Sequence, residues 1–129
     1  MNVNIGKHIY QTLKAINGLT VYPVVAAFDT DTPTTPFAVY RRTGIDVEYS
    51  KDLFTGIVKQ RFEVTIADND YATVSDLAQQ AVNELLGMSY SVKTPDLSIG
   101  QVHINDLNDD FIDGLFIENI TIEINTTTK

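Results

Sequence analysis

The chain has 129 residues, no cysteine, and a formal net charge of −8. That length suits one domain, able to bury a core without a disulfide or metal staple. The absence of cysteine excludes disulfides, thiolate nucleophiles and cysteine-ligated zinc, and the acidic balance argues against general nucleic-acid binding.

Apolar residues make up 43% of the chain and charged residues 20%, ordinary globular usage rather than a disordered composition. No run approaches the roughly 18 apolar residues of a membrane helix. Met1 to Lys7 lacks the basic-then-apolar pattern of a secretory leader, so none is expected. One domain is expected over 1–125, followed by a frayed tail at 126–129.

In chain order, Ile5, Ile9, Leu13 and Ile16 recur on one helical face and predict a helix from Val3 to Ile16, stopped by Asn17-Gly18. Val21 to Val25 reads as a short extended segment. Phe28 to Thr35, rich in Thr and Asp, reads as an exposed loop. Pro36 to Thr43 predicts a strand, with Phe37 and Val39 on one face and Ala38, Tyr40 and Arg42 on the other. Gly44 to Gly56 is a long connection, either an extended hairpin arm or an ordered loop.

The clearest strand is Ile57 to Ala67. Val58, Phe62, Val64 and Ile66 share one face with Gln60 as the odd member; Ile57, Lys59, Arg61, Glu63 and Thr65 share the other. Asp68-Asn69-Asp70 offers helix caps. Val74, Leu77, Ala78, Ala81, Val82, Leu85 and Leu86 form a broad apolar stripe over a helix from Tyr71 to Leu86, with Gly87 placed for a left-handed cap. Strands are predicted at Ile99–Ile104 and Leu115–Asn125, joined by an acidic turn from Asn105 to Gly114.

The expected fold is therefore α+β: two helices packed on one face of a mainly antiparallel four-stranded sheet, in the order α-β-β-α-β-β. The opposite sheet face would show Ile57, Tyr40, Leu115 and Ile117 among charges and threonines, a mixed surface suited to contact with another subunit.

The sequence marks out no catalytic or metal site. His8 and His103 are the only histidines, and nothing in their spacing pairs them. Asp106-Leu107-Asn108-Asp109-Asp110 starts like a calcium loop, but Phe111 stands where the loop needs Gly and Ile117 where it needs Glu. The serines lie in no Gly-x-Ser-x-Gly elbow, and no phosphate-binding glycine loop is present. Lys59 and Arg61, with Arg41 or Arg42 across from them, read as a cross-strand charge ladder before they read as a basic patch. No enzyme and no cofactor is expected.

The order of elements resembles the small tail-completion, or tail-terminator, proteins of long-tailed bacteriophages. The match runs over nearly the whole chain. It begins with the helix Ile9-Tyr10-Gln11-Thr12-Leu13, the segment Val21-Tyr22-Pro23 and the strand Pro36-Phe37-Ala38-Val39-Tyr40. It continues through the strand Arg61-Phe62-Glu63-Val64-Thr65-Ile66 and a helix opening Asp70-Tyr71 with Ala78, Ala81, Val82 and Leu85. The closing strand is Ile120-Thr121-Ile122-Glu123-Ile124.

The resemblance implies a virion protein of the tail or neck, made in the host bacterial cytoplasm. It implies a homo-oligomeric ring, commonly six-fold, that caps the tail tube protein and docks to the head connector or neck protein, with DNA only in passage and no membrane. It implies no catalytic residue. The subunit interface is expected at Tyr40, Arg42, Val47, Tyr49, Leu53, Phe54, Ile57, Lys59, Arg61, Leu115 and Ile117. An acidic lining of the lumen is expected from Asp106, Asp109, Asp110 and Asp113. The competing reading is a ferredoxin-like binding module for a small ligand or peptide, which predicts a well-formed pocket.

Overall fold

The computed structural model describes residues 3–23, 35–50 and 53–128. Its elements are α1 (Gly6–Lys14), β1 (Thr20–Pro23), β2 (Phe37–Ser50), β3 (Leu53–Asp68), α2 (Tyr71–Gly87), β4 (Leu97–Ile112) and β5 (Leu115–Thr128). The expected Phe28–Thr35 loop, apart from Thr35, lies outside the described residues, as do Val24 and Val25.

Both helices form where the apolar periodicity places them. In α1, Ile5, Ile9, Leu13 and Ile16 are all buried, although the helix is shorter than the stripe. Ile5 at its start makes no side-chain cap, and Gly18 takes a φ of 82° beyond its end. In α2 the Asp70 carboxylate accepts from the Thr73 N–H at 3.2 Å and the Thr73 hydroxyl at 2.6 Å. Such a cap is worth about 1 kcal/mol. Val74, Leu77, Ala78, Ala81 and Leu85 are the buried face. Gly87 is not the left-handed cap: it stays helical, and Met88 follows in the right-handed region. The left-handed residue is Tyr90, at φ 60°, whose N–H bonds the Gly100 carbonyl and ties the helix exit to β4.

The sheet has five strands in the order β1-β2-β3-β5-β4. β1 pairs with β2 in parallel; every other pairing is antiparallel. The expected four strands are thus five, and the sheet is mixed. The fifth comes from Thr20–Pro23, too short to show alternation. The expected acidic turn at Asn105–Gly114 is also corrected. Strand β4 continues through it to Ile112, and only Asp113-Gly114, at φ 52° and 81°, makes the turn. Two residues with positive φ match the twist of a tight hairpin, which an Asp-Gly pair allows. The tail expected to fray is strand as far as Thr128, with Thr126 and Thr128 buried against the sheet.

The core lies between the helices and one face of the sheet. It joins Ile5, Ile9 and Leu13 of the first helix region, Val74, Ala81 and Leu85 of α2, and Val64, Ile66, Ile120, Ile122 and Ile124 of the central strands. Each such Val, Leu or Ile side chain contributes roughly 1.5–3 kcal/mol on burial. Helix α1 touches β1, β2 and α2, while α2 touches β3, β4 and β5. Among the described residues neither helix crosses to the other face.

Candidate assembly surface

Three surfaces result: the outward sheet face and the two hairpin ends. The register of β3 separates the ends. Leu53, at its start, pairs with Ser50 in the β2–β3 arm; Asp68, at its end, pairs with Phe116 beside the β4–β5 turn. The arm and the β4–β5 hairpin therefore project from opposite ends of the sheet. The connection Gly44–Gly56 is the hairpin arm, not an ordered loop, with irregularities at Arg42/Gly44 and Val47/Tyr49.

The outward face is a ladder of paired polar groups. Arg41 meets Glu63 at 3.5 Å, Lys59 meets Glu123 at 3.5 Å, and Arg61 meets Asp46 at 2.6 Å. The Thr65 hydroxyl donates to Asn119 Oδ1 at 2.8 Å. The hydrogen bond and charge of Arg61 hold the Asp46 carboxyl below the usual carboxylate range. The basic residues thus form the charge ladder that the alternation suggested, and each is engaged by a carboxylate.

Three of the expected interface residues lie on the other face: Tyr40, Arg42 and Val47, the last paired with fully buried Val58. Tyr40 pairs with fully buried Val64, stands beside Gly6 and Tyr10, and packs against the core. Burial, reinforced by Tyr10, raises its phenol pKa. Arg42 lies over the Phe62 ring at 5.4 Å, donates Nε–H to Gln60 at 3.1 Å and reaches the Val3 carbonyl at 2.7 Å. Small Ala38 lets the first helix approach there, so larger Phe37 turns outward, where Tyr22 covers it edge-on at 6.2 Å. Ile57, Lys59, Arg61, Leu115 and Ile117 are outward as expected, and Val47 and Tyr49 are on the arm. Leu53 and Phe54 belong to β3, but their side chains lie outside the described residues.

Of the four aspartates assigned to a lumen, Asp106 and Asp110 share one face of the hairpin, Asp109 faces the helices, and Asp113 sits in the turn. All four are exposed. Asp109 pairs with Glu118 in the ladder and accepts from the Tyr71 hydroxyl at 3.2 Å. Burial, then the hydrogen bond to Asp109 and its charge, raise the Glu118 carboxyl to about 7. Tyr71 rises for the same neighbour. Sequence reading missed this pair. Its signal was the Asp113-Gly114 turn: counting outward from it sets Asp109 opposite Glu118.

No group of three or more His, Asp or Glu that could hold a metal occurs among the described residues. His8 and His103 are not brought together as a pair: His8 borders an open hollow of 330 Å³ with Asn4, Lys7, Thr94 and Asp96, and His103 pairs with Glu123 on the outward face. Burial, with Lys7 beside it, lowers the His8 pKa. The hollow lacks the enclosure that the binding-module reading requires.

No family model matches the chain, and no curated protein matches it. Among solved structures, one chain of the "Virion of native gene transfer agent (GTA) particle" shares the fold at a TM-score of 0.65. The match covers 92% of this chain and 91% of that one at 16% identity. The likeness is one of fold and takes in most of each chain.

Proposed function

We propose that this chain is a structural subunit of a phage or phage-like virion, and that it acts as the ring that caps the tail tube and joins the tail to the head connector. It catalyses no reaction. The observation that carries the reading is the end-to-end likeness of fold to a chain of the gene transfer agent virion. The surfaces agree with it. A ring closes through a heterologous contact, in which two different patches of one molecule meet. Here the helices cover one sheet face, and two unlike projections leave opposite ends. A charge of −8 per copy, repeated around an opening, repels a passing genome and keeps it from adhering.

Native mass spectrometry with negative-stain imaging tests the ring. The expected result is a closed oligomer, six-fold in the simplest case, formed alone or on added tail tubes. A chain that remains monomeric at its highest soluble concentration and ignores tail tubes refutes the assignment. Restoration of normal tail length and infectivity to phage lacking their terminator tests the position in the virion.

A further inference from the structure

We infer that the free edge of β4, from His103 to Ile112, is a docking strip for an extended segment of a partner protein in which apolar residues alternate with Lys or Arg. The segment adds a strand to the sheet beside β4. The inference goes beyond the ring reading and does not rest on it.

Strand β4 is the last of the sheet, so β5 pairs with only one of its edges. The chain covers the start of the other edge itself. The Ile99 N–H donates to the Val92 carbonyl at 2.9 Å, the Tyr90 N–H to the Gly100 carbonyl at 3.0 Å, and the Val102 N–H to Ser89 Oγ at 2.9 Å. Past Val102 none of the described residues continues this cover. The Phe111 N–H turns to the Asp110 carboxylate at 2.8 Å, which aims it away from β5. The register is regular from Asp106 to Ile112, so the N–H groups of Leu107 and Asp109 point the same way. An edge of this kind accepts an added strand through main-chain hydrogen bonds.

The side chains along the strip name the occupant. Leu107 and Phe111, 48% and 55% exposed, face the helix side, where Phe116 and Tyr71 continue the apolar surface. Asp106, Asn108 and Asp110 face outward. An added strand carries its side chains to the same two faces, so alternate residues meet Leu107 and Phe111 while those between meet Asp106 and Asp110. These carboxylates have only neutral donors beside them: Asp106 accepts from the Asn108 amide and Asp110 from the Phe111 N–H. Residues 94–128 contain no Lys or Arg, and no ion pair among the described residues reaches Asp106, Asp109 or Asp110. The complement is therefore apolar on one side and basic on the other. A second copy does not supply it. Its own β4 would set Asp against Asp, the like-charge arrangement that keeps edges apart. The strand at the opposite edge, β1, has four residues ending in Pro23, too few to lie along the strip.

The probe is a synthetic peptide of alternating Val and Lys, as long as the strip. It is compared with its Glu-for-Lys counterpart and with a backbone N-methylated copy, which keeps the charges but cannot donate to β4. Fluorescence anisotropy with the full chain gives affinity, and amide exchange gives place. The Lys peptide is expected to bind about tenfold more tightly than either control and to slow exchange at Leu107 and Asp109. Asp106→Asn combined with Asp110→Asn, checked for native circular dichroism, is expected to weaken that binding about tenfold. Equal binding of the methylated peptide means a contact of charge alone, and protection confined to another strand means another site; either result overturns the inference, as does an absence of binding. Protection at Leu107 and Asp109 that arises without peptide and grows with protein concentration puts a second copy on the edge and overturns it as well. Ring closure is read separately by native mass spectrometry, so the failure of one reading is distinguishable from the failure of the other.

Discussion

Asp109 and Glu118 stand opposite each other across the β4–β5 ladder, and their carboxyl groups share a hydrogen bond on the face turned toward α2. Burial, with Asp109 beside it, raises the Glu118 carboxyl to about 7, and Asp109 also accepts from the Tyr71 hydroxyl at 3.2 Å. The unfolded chain has an ordinary glutamate pKa of about 4.3. Between these values the folded state binds the extra proton, so stability falls as pH rises from about 4.3 to about 7 and then levels. Glu118→Gln keeps the donor and removes the titration. The variant is expected to be more stable than the parent at pH 8, by roughly 1–2 kcal/mol, and to lose that advantage near pH 5. Urea unfolding at both pH values measures the difference; equal gains at both would contradict the account.

The parts of the fold that were legible in sequence are those with one wet face and one dry face. Helix α2 and strand β3 meet that condition, and their stripes from Val74 to Leu85 and from Val58 to Ile66 are the observed core. Strand β4 does not. Beyond Ile104 it is an edge strand exposed on both faces, so Asp106, Asn108 and Asp110 mask its alternation and it reads as a turn. Alternation grouped Tyr40 with Ala38 and Arg42 correctly but did not say which face was dry: Tyr40, expected outward, pairs with buried Val64 and stands beside Gly6 and Tyr10 of the first helix. The arm residues Val47, Tyr49, Leu53 and Phe54 stood out in sequence, whereas the β4–β5 hairpin read as an acidic turn; that the two lie at opposite ends follows from register, which composition does not encode.

Gln60 is fully buried on the core face, accepting from Arg42 at 3.1 Å and donating to Thr126 Oγ1 at 3.5 Å. Thr126 in turn donates its hydroxyl to the Val58 carbonyl at 3.0 Å. Gln60→Ala opens a cavity and removes both bonds, an expected loss of roughly 2–3 kcal/mol. Gln60→Leu fills the space. Arg42 is exposed enough to hydrate and keeps the Val3 carbonyl, while Thr126 keeps Val58, so its cost is expected under about 1.5 kcal/mol. Paired denaturation curves separate the two; equal losses would place the cost in the hydrogen bonds rather than in packing.

A Cβ at Gly44 would fall 2.5 Å from Arg61 Nη2. The obstacle is the end of a flexible side chain, so it yields. Gly44→Ala is expected to fold with little loss of stability while Arg61 swings away from Asp46. The Asp46 carboxyl, held low by that hydrogen bond and charge, then titrates nearer its ordinary value. In the parent the pair's stabilisation is present above the unfolded pKa and disappears as pH falls through the depressed folded value. In the variant this acid-side change shrinks. Titration of the Asp46 carboxyl by nuclear magnetic resonance checks it; an unmoved midpoint would show that the ion pair survives.

Gly56 meets an obstacle that does not yield. Its φ is 87°, and a Cβ there would stand 2.8 Å from the Thr128 carbonyl oxygen. That oxygen belongs to backbone at the end of β5, beside the register pair Ile57–Thr127 that fixes where the arm leaves the sheet. Alanine adds left-handed backbone strain to a contact relieved only by moving a strand. Gly56→Ala is therefore expected to cost roughly 2–4 kcal/mol, well beyond Gly44→Ala. Amide exchange gives the sharper test. Protection is expected to fall first at the Val58–Thr126 end of the β3–β5 ladder, while the Ile66–Glu118 end remains closed. If both ends opened together, the strain would not be local to the base of the arm.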